Sequence, residues 1–377
     1  MEEFKQIMKK SISYVLVAAL ASGCTWFLAD RLPNSKLERL ADVIDRRFIA
    51  EADQTAIEDA AADAMVEALG DRWSYYISAD AYAAHLERQN NEFVGVGITI
   101  QSRQDRKGFD IIAVEPDGPA AEAGICAGDI LTQADGTPLG ELTITEVKGL
   151  IMGEKNTQVR LTLLRGQQTM EVSVTRRVIR SRTAEGQMLD GNIGLVTIKN
   201  FYSHSAEETI REVEKLTEQG AKMLIFDVRN NPGGYVHEMV KLLDYLLPEG
   251  PLFRSVSYTG KETVEQSDAA CLELPMAVLI NGNTYSAAEF FAAALSEYDW
   301  AVTVGEQTCG KGYYQTTIEL GDGSAVALST GKYSTPNGVN LAETGGLTPD
   351  IPVEPAERAV TAQTDPQVQA AAKALRE

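Results

Sequence analysis

Ser286 follows an apolar run, Met276 to Ile280, and a polar turn, Asn281-Gly-Asn283, and stands just before a helical pattern. A serine placed there projects from a sharp turn beside helix amides, whose positive end stabilises a developing oxyanion. The same residues, Ser286-Ala-Ala-Glu289, also spell a capping box, in which the hydroxyl only satisfies helix N–H groups. Local sequence alone favours the cap. A hydroxyl attacks only when a base is positioned beside it, and two candidates are present. His237 follows the Gly233-Gly234 turn. Lys311 lies in Thr308-Cys-Gly-Lys-Gly312, where flanking glycines allow close backbone approach between apolar segments. An ammonium taken out of water falls from its usual pKa of about 10.4, by up to several units. A neutral lysine near pH 7 is then a general base; the alternative is a solvated lysine in a glycine turn. His85 is assigned no role.

The remaining composition narrows the chemistry. Four cysteines (Cys24, Cys126, Cys271, Cys309) and three histidines (His85, His204, His237) show no CxxC, HExxH or HxH spacing. No metal site is expected, and no cofactor is required. Thirty-four Lys and Arg against 54 Asp and Glu give a net charge of −20, which argues against nucleic acid as a partner. With 44% hydrophobic and 23% charged residues in 377, the chain is ordinary globular protein of two to three folded units, at roughly 150 residues each.

Lys9 and Lys10 precede the apolar run 11–29, about 28 Å long as a helix, with Trp26 near its outer end. This favours an export signal retained as a membrane anchor, with the remainder outside the cytoplasm, at the cell surface or in the periplasm. Ala21-Ser-Gly-Cys24 also loosely resembles a lipoprotein cleavage box, and small residues suit an ordinary signal-peptidase site.

Residues 33–90 are helical in pattern: Leu37, Leu40, Ala41, Val43, Ile44 and Phe48 recur at helical spacing, and an alanine-rich acidic stretch ends at Gly70. From Phe93 the pattern alternates, with strands over 94–100 and 109–114, a capping-box helix opened by Thr143 and Glu146, and a hairpin around Arg165-Gly166. In the second half, strands 192–198, 222–228 and 276–280 alternate with helices 206–219, 236–247 and 286–297. That alternation implies a layered α/β core with ligands at the loops after strand ends.

Gly-Val-Gly-Ile (95–98), Pro-Ala-Ala-Glu-Ala-Gly-Ile (119–125) and Ala-Gly-Asp-Ile-Leu (127–131) stand in an order that resembles a PDZ domain. PDZ domains add a peptide tail as an extra strand and hold its carboxylate on loop amides. The resemblance implies that the amides of Gly95, Val96, Gly97 and Ile98 hold the carboxylate. It also implies that Ile98 to Ile100 pair with the tail and that Val147, Leu150 and Ile151 line an apolar pocket. The bland alternative is that the glycines only make a turn.

Four further stretches resemble the C-terminal processing peptidases, or tail-specific proteases: Phe-Asp-Val-Arg-Asn-Asn-Pro-Gly-Gly (226–234), Val-Leu-Ile-Asn-Gly-Asn-Thr-Tyr-Ser-Ala-Ala-Glu (278–289), Gly-Glu-Gln-Thr-Cys-Gly-Lys-Gly (305–312) and Leu-Thr-Pro-Asp-Ile (347–351). The resemblance implies a serine endopeptidase with Ser286 as nucleophile, Lys311 as general base and Gln315 orienting the lysine. The amides of Gly233 or Gly234 and of Ala287 would form the oxyanion hole. The expected fold is mixed α/β: a layered α/β protease core with an inserted PDZ β-sandwich and N-terminal helices. Its segments are an anchor (1–32), a helical region (33–90), the PDZ domain (91–178), the protease core (179–360) and a helical tail (361–377). Expected partners are a protein or peptide with an apolar C-terminus, the membrane through the N-terminal helix, and a second copy in a homodimer, since the N-terminal helices and 365–376 resemble self-association segments of relatives.

This chain departs from that family in three places. Thr284-Tyr285 stands where small residues are common, which would narrow the pocket. Cys309 replaces an often aromatic residue, and pairs with Cys271 or stays free and inert. Met152-Gly153 stands where some members carry Arg-Gly, which puts arginine-mediated gating in doubt. Two other functions compete: a catalytically inactive PDZ scaffold at the membrane, and a Ser–His hydrolase using His237.

Overall fold

The computed structural model describes residues 35–356, 358 and 360–377; the expected anchor lies outside the described residues. Among them, no helix is long and apolar enough to cross a membrane. The chain divides into two compact units at Ala68/Leu69. In the first, helix Lys36–Arg47 opens with a capping box in which Ser35 N–H donates to Glu38 at 2.8 Å. Helix Gln54–Glu67 follows, capped by Asp53, and neither helix has a buried residue.

The second unit begins with a departure from the helical pattern. Tyr75–Ile77 is a strand, paired antiparallel with Ala325–Ala327, because β-favouring aromatic residues meet an open sheet edge. The segment with PDZ-like motifs builds a six-stranded sheet from Ile98–Ser102, Phe109–Val114, Ile130–Ala134, Thr137–Pro138, Gln158–Arg165 and Gln168–Thr175. Its core holds Phe109, Ile111, Leu131, Val147 and Leu161, all at most 2% exposed. A two-stranded ribbon, Glu92–Gly95 with Arg177–Arg180, borders it.

Beyond it lies a second six-stranded sheet in the order Ala184–Leu189, Ile193–Ile198, Met223–Asp227, Met276–Ile280, Ala301–Gly305, Ile351–Pro352. Only its first pair is antiparallel. The near-continuous apolar strands are buried on both faces, as parallel strands require. Phe226, Val278 and Ile280 pack with helices Ser205–Glu218, Val236–Leu246 and Ala287–Glu297. Ile225, Ala277 and Leu279 face the other way, onto Val368 and Ala371 of helix Pro366–Ala374. An ion pair of Arg229 and Asp365 at 2.8 Å pins that last helix.

The element absent from the sequence reading is a five-stranded antiparallel sheet. Ala325–Ser334 pairs with Tyr75–Ile77, Gly250–Ser257 and Tyr313–Glu319, and Glu262–Ser267 extends it beyond Gly250–Ser257.

Candidate active site

Three loops leave the carboxyl ends of neighbouring parallel strands and meet. Met223–Asp227 leads to Gly233-Gly234, Met276–Ile280 to Ser286, and Ala301–Gly305 to Lys311. Gly234, Ser286, Lys311 and Gln315 line one cleft of about 600 Å³, with Trp73 and Tyr333.

Ser286 sits at φ 59°, ψ −132°, a conformation that costs a residue with a Cβ about 1–3 kcal/mol. Neighbouring bonds impose it. Thr284 Oγ1 donates to Val228 O at 2.8 Å, and Tyr285 N–H to Asn231 O at 3.2 Å. Ser286 N–H donates to Glu289 at 2.9 Å, so the capping-box limb read from sequence is made. The hydroxyl limb falls short of a cap hydrogen bond, and Ser286 Oγ instead meets Tyr333 Oη at 3.1 Å.

Glu289 does more than cap. Fully buried, it also accepts from Thr308 Oγ1 at 2.6 Å, Gly310 N–H at 2.7 Å and Lys311 N–H at 3.0 Å. Burial pushes its carboxyl above the usual carboxylate range, and these donors oppose that rise. One carboxylate thus ties the serine turn to the lysine loop.

Lys311 Nζ stands over the Trp73 ring, 4.8 Å from its centroid. The Arg72 guanidinium stacks on the same ring at 4.2 Å. Desolvation lowers the lysine to about 8; Glu289, Cys309 and Asp71 pull the other way, and Arg72 adds to the lowering. Trp73 is itself held by a turn: Trp73 N–H donates to Asp71 at 3.1 Å, Ser74 Oγ to Asp71 at 2.6 Å, and Ser329 N–H to Ser74 Oγ at 3.0 Å. Gln315 lines the cleft, but its amide donates to Tyr313 O at 3.2 Å and Ser329 Oγ at 3.0 Å, not to the lysine.

The geometry separates the two oxyanion candidates. Gly233 N–H is committed to Asn231 Oδ1 at 2.8 Å. Among the described residues, Gly234 N–H and Ala287 N–H have no protein acceptor. Gly233 nevertheless has to be glycine: at φ 85°, a Cβ there would lie 2.8 Å from Ser286 Cβ and 2.9 Å from Ala287 N. His237 is exposed, stacked on Tyr235 at 5.1 Å, and no described histidine lines the cleft. Cys126, Cys271 and Cys309 are free thiols.

A second cleft, of about 310 Å³, runs between strand Ile98–Ser102 and helix Ile144–Ile151. Gly95, Val96, Gly97, Ile98, Ile100 and Ile151 line it. Val147 and Leu150 do not. Val147 is fully buried in the core, and Leu150 is turned away, 36% exposed. Ile144, Lys148 and Met152 form that wall instead, because positions four and then three or four apart share a helix face. Strand Ile98–Ser102 pairs on one side only among the described residues, which leaves an edge for an added strand.

Sequence reasoning missed Tyr333, Trp73 and Asn231. The apolar run 325–328 is followed by polar residues, so no local pattern marks Tyr333 as buried.

A layered α/β sheet that presents a serine at a strained strand-to-helix turn, beside free backbone amides, is an arrangement that serine hydrolases use. Residues 192–353 match the model of Peptidase family S41, and residues 111–165 that of the PDZ domain. A "Probable CtpA-like serine protease" from Staphylococcus aureus (strain MSSA476) is 29% identical over 350 residues, covering 91% of this chain and 69% of its own length. A relative with the same description from Staphylococcus epidermidis matches over 346 residues at 29%. Among solved structures, "Putative S41 protease from Bacteroides fragilis NCTC 9343" superposes with a TM-score of 0.57 at 17% identity, covering 92% of this chain and 98% of that one. These likenesses, to an S41 peptidase over residues 192–353 and to CtpA-like serine proteases over most of the chain, support a serine protease with a PDZ domain, acting on protein or peptide substrates.

Proposed function

We propose that Ser286 is the nucleophile and Lys311 its general base, and that substrates are captured by apolar C-terminal tails in the PDZ groove. The observation that carries this reading is the convergence of Ser286, a lysine held near pKa 8 and two unoccupied amides in one cleft. The lysine arm rotates off Trp73 to reach Ser286 Oγ. Neutral Nζ takes the hydroxyl proton as Oγ bonds the scissile carbonyl carbon, and the oxyanion accepts from Gly234 N–H and Ala287 N–H. The ammonium then protonates the leaving amine, and water releases the acyl group.

Gln315 orients the lysine once its amide leaves Ser329. The tail adds to strand Ile98–Ser102 with its carboxylate on the amides of Gly95 to Ile98, its side chains meeting Ile144, Ile151 and Met152. The apolar run 11–29 anchors the enzyme at the outer membrane face. Digestion of an unfolded protein by Ser286→Ala and Lys311→Ala tests the chemistry; cleavage at the parent rate by either variant overturns it.

A further inference from the structure

Tyr333 comes from strand Ala325–Ser334, remote in sequence from the motifs that carry the site. It is 3% exposed, and its ring packs against Phe290 at 4.4 Å and Phe253 at 5.5 Å, with Tyr314 stacked at 6.2 Å. Its backbone is pinned to the lysine loop: Tyr333 N–H donates to Gly312 O at 3.2 Å, and Asn340 Nδ2 bridges Tyr333 O at 2.9 Å and Gly312 O at 3.0 Å. With ring and backbone both fixed, the hydroxyl has little freedom, and it ends 3.1 Å from Ser286 Oγ.

We propose that Tyr333 is a further catalytic residue, whose hydroxyl aims Ser286 Oγ and donates to it whenever that oxygen carries negative charge. This rests on Ser286 being the nucleophile. When the Oγ–H bond breaks, the proton goes to Lys311 Nζ and Oγ forms its bond to the carbonyl carbon. In deacylation the again neutral Lys311 Nζ takes a proton from the attacking water; when the acyl–Oγ bond breaks, the electron pair returns to Oγ, which receives that proton from Lys311. In both steps Tyr333 keeps its own proton and supplies a hydrogen bond that strengthens with the charge, in a site shielded from water. Burial raises the phenol's pKa, against a smaller lowering from its bond to Ser286, so the donor stays protonated through neutral and mildly alkaline pH.

The test is Tyr333→Phe in the full chain, which keeps the ring that fills the aromatic nest. The expected result is a kcat roughly 10- to 100-fold lower with KM unchanged. Phosphonylation of Ser286 by a fluorophosphonate probe should slow in the same proportion across the pH profile, with the melting temperature nearly that of the parent. Equal labelling rates in parent and variant overturn the role of Tyr333 while leaving Ser286 as nucleophile. Failure of the parent to be labelled at Ser286 overturns the nucleophile assignment itself.

Discussion

The PDZ groove and the protease cleft are both built on glycine-containing turns, yet they are held open by different physics. The groove is an apolar slot bordered by backbone of 95–98 and, among the described residues, an unpaired strand edge; its shape follows from the packing of Phe109, Leu131 and Val147 beneath it. The cleft is held by buried polar groups: Glu289, Asn231 and Thr284 are each 0% exposed, and every one of them is bonded to a catalytic loop. A groove made of backbone tolerates side-chain changes. A cleft braced by buried carboxylate and amide groups does not, because removing one partner leaves the other desolvated and unsatisfied.

The sharpest way to separate the two regions is Ser286→Ala or Lys311→Ala. Each should reduce kcat/KM by about 10⁴-fold or more, while calorimetric affinity for a free apolar C-terminal peptide stays at the parent value. Glu289→Gln comes next. An amide replaces one acceptor oxygen that faces bound N–H and O–H donors, so urea unfolding should show a loss of about 3 kcal/mol or more, and cleavage should fall at least about 100-fold. Gly97→Pro strikes the other region. Proline cannot adopt φ 80°, so tail affinity should drop about tenfold or more, a loss of about 1.4 kcal/mol. Hydrolysis of a short peptide that lacks a docking tail should not change.

The smallest effect lies in the pH profile. In the proposed mechanism only the neutral form of Lys311 acts as base, and burial depresses its pKa to about 8. Activity should therefore rise about tenfold per pH unit below that value and level above it. Arg72→Gln removes a cation that disfavours the ammonium, so the rising limb should move to higher pH. A limb that stays in place would show that burial alone sets the base.

The same contrast explains what was legible in the sequence. Local signals found the Ser286 turn, its Glu289 partner, the Lys311 loop and the glycines of the groove, since each depends on residues a few positions apart. Val147 and Leu150 were misplaced because helix phase relative to the groove is set by tertiary packing. Choosing between Gly233 and Gly234 needed the side chain of Asn231, which no spacing rule connects to an oxyanion. Trp73 reaches the site from the turn before strand Tyr75–Ile77, more than 200 residues from Ser286, and Tyr333 from strand Ala325–Ser334, more than 40 residues away. Their arrival depends on the register of an antiparallel sheet, encoded in long-range pairing rather than in local pattern.

The shared carboxylate of Glu289 has a mechanical corollary. Because it accepts from Ser286, Gly310 and Lys311 N–H alike, it braces the serine turn and the lysine loop against each other. Alignment must come from the pliant parts, the four-methylene arm of Lys311 and the aromatic plate it rests on, so a bound substrate that displaces Trp73 would arm the enzyme without bending its frame.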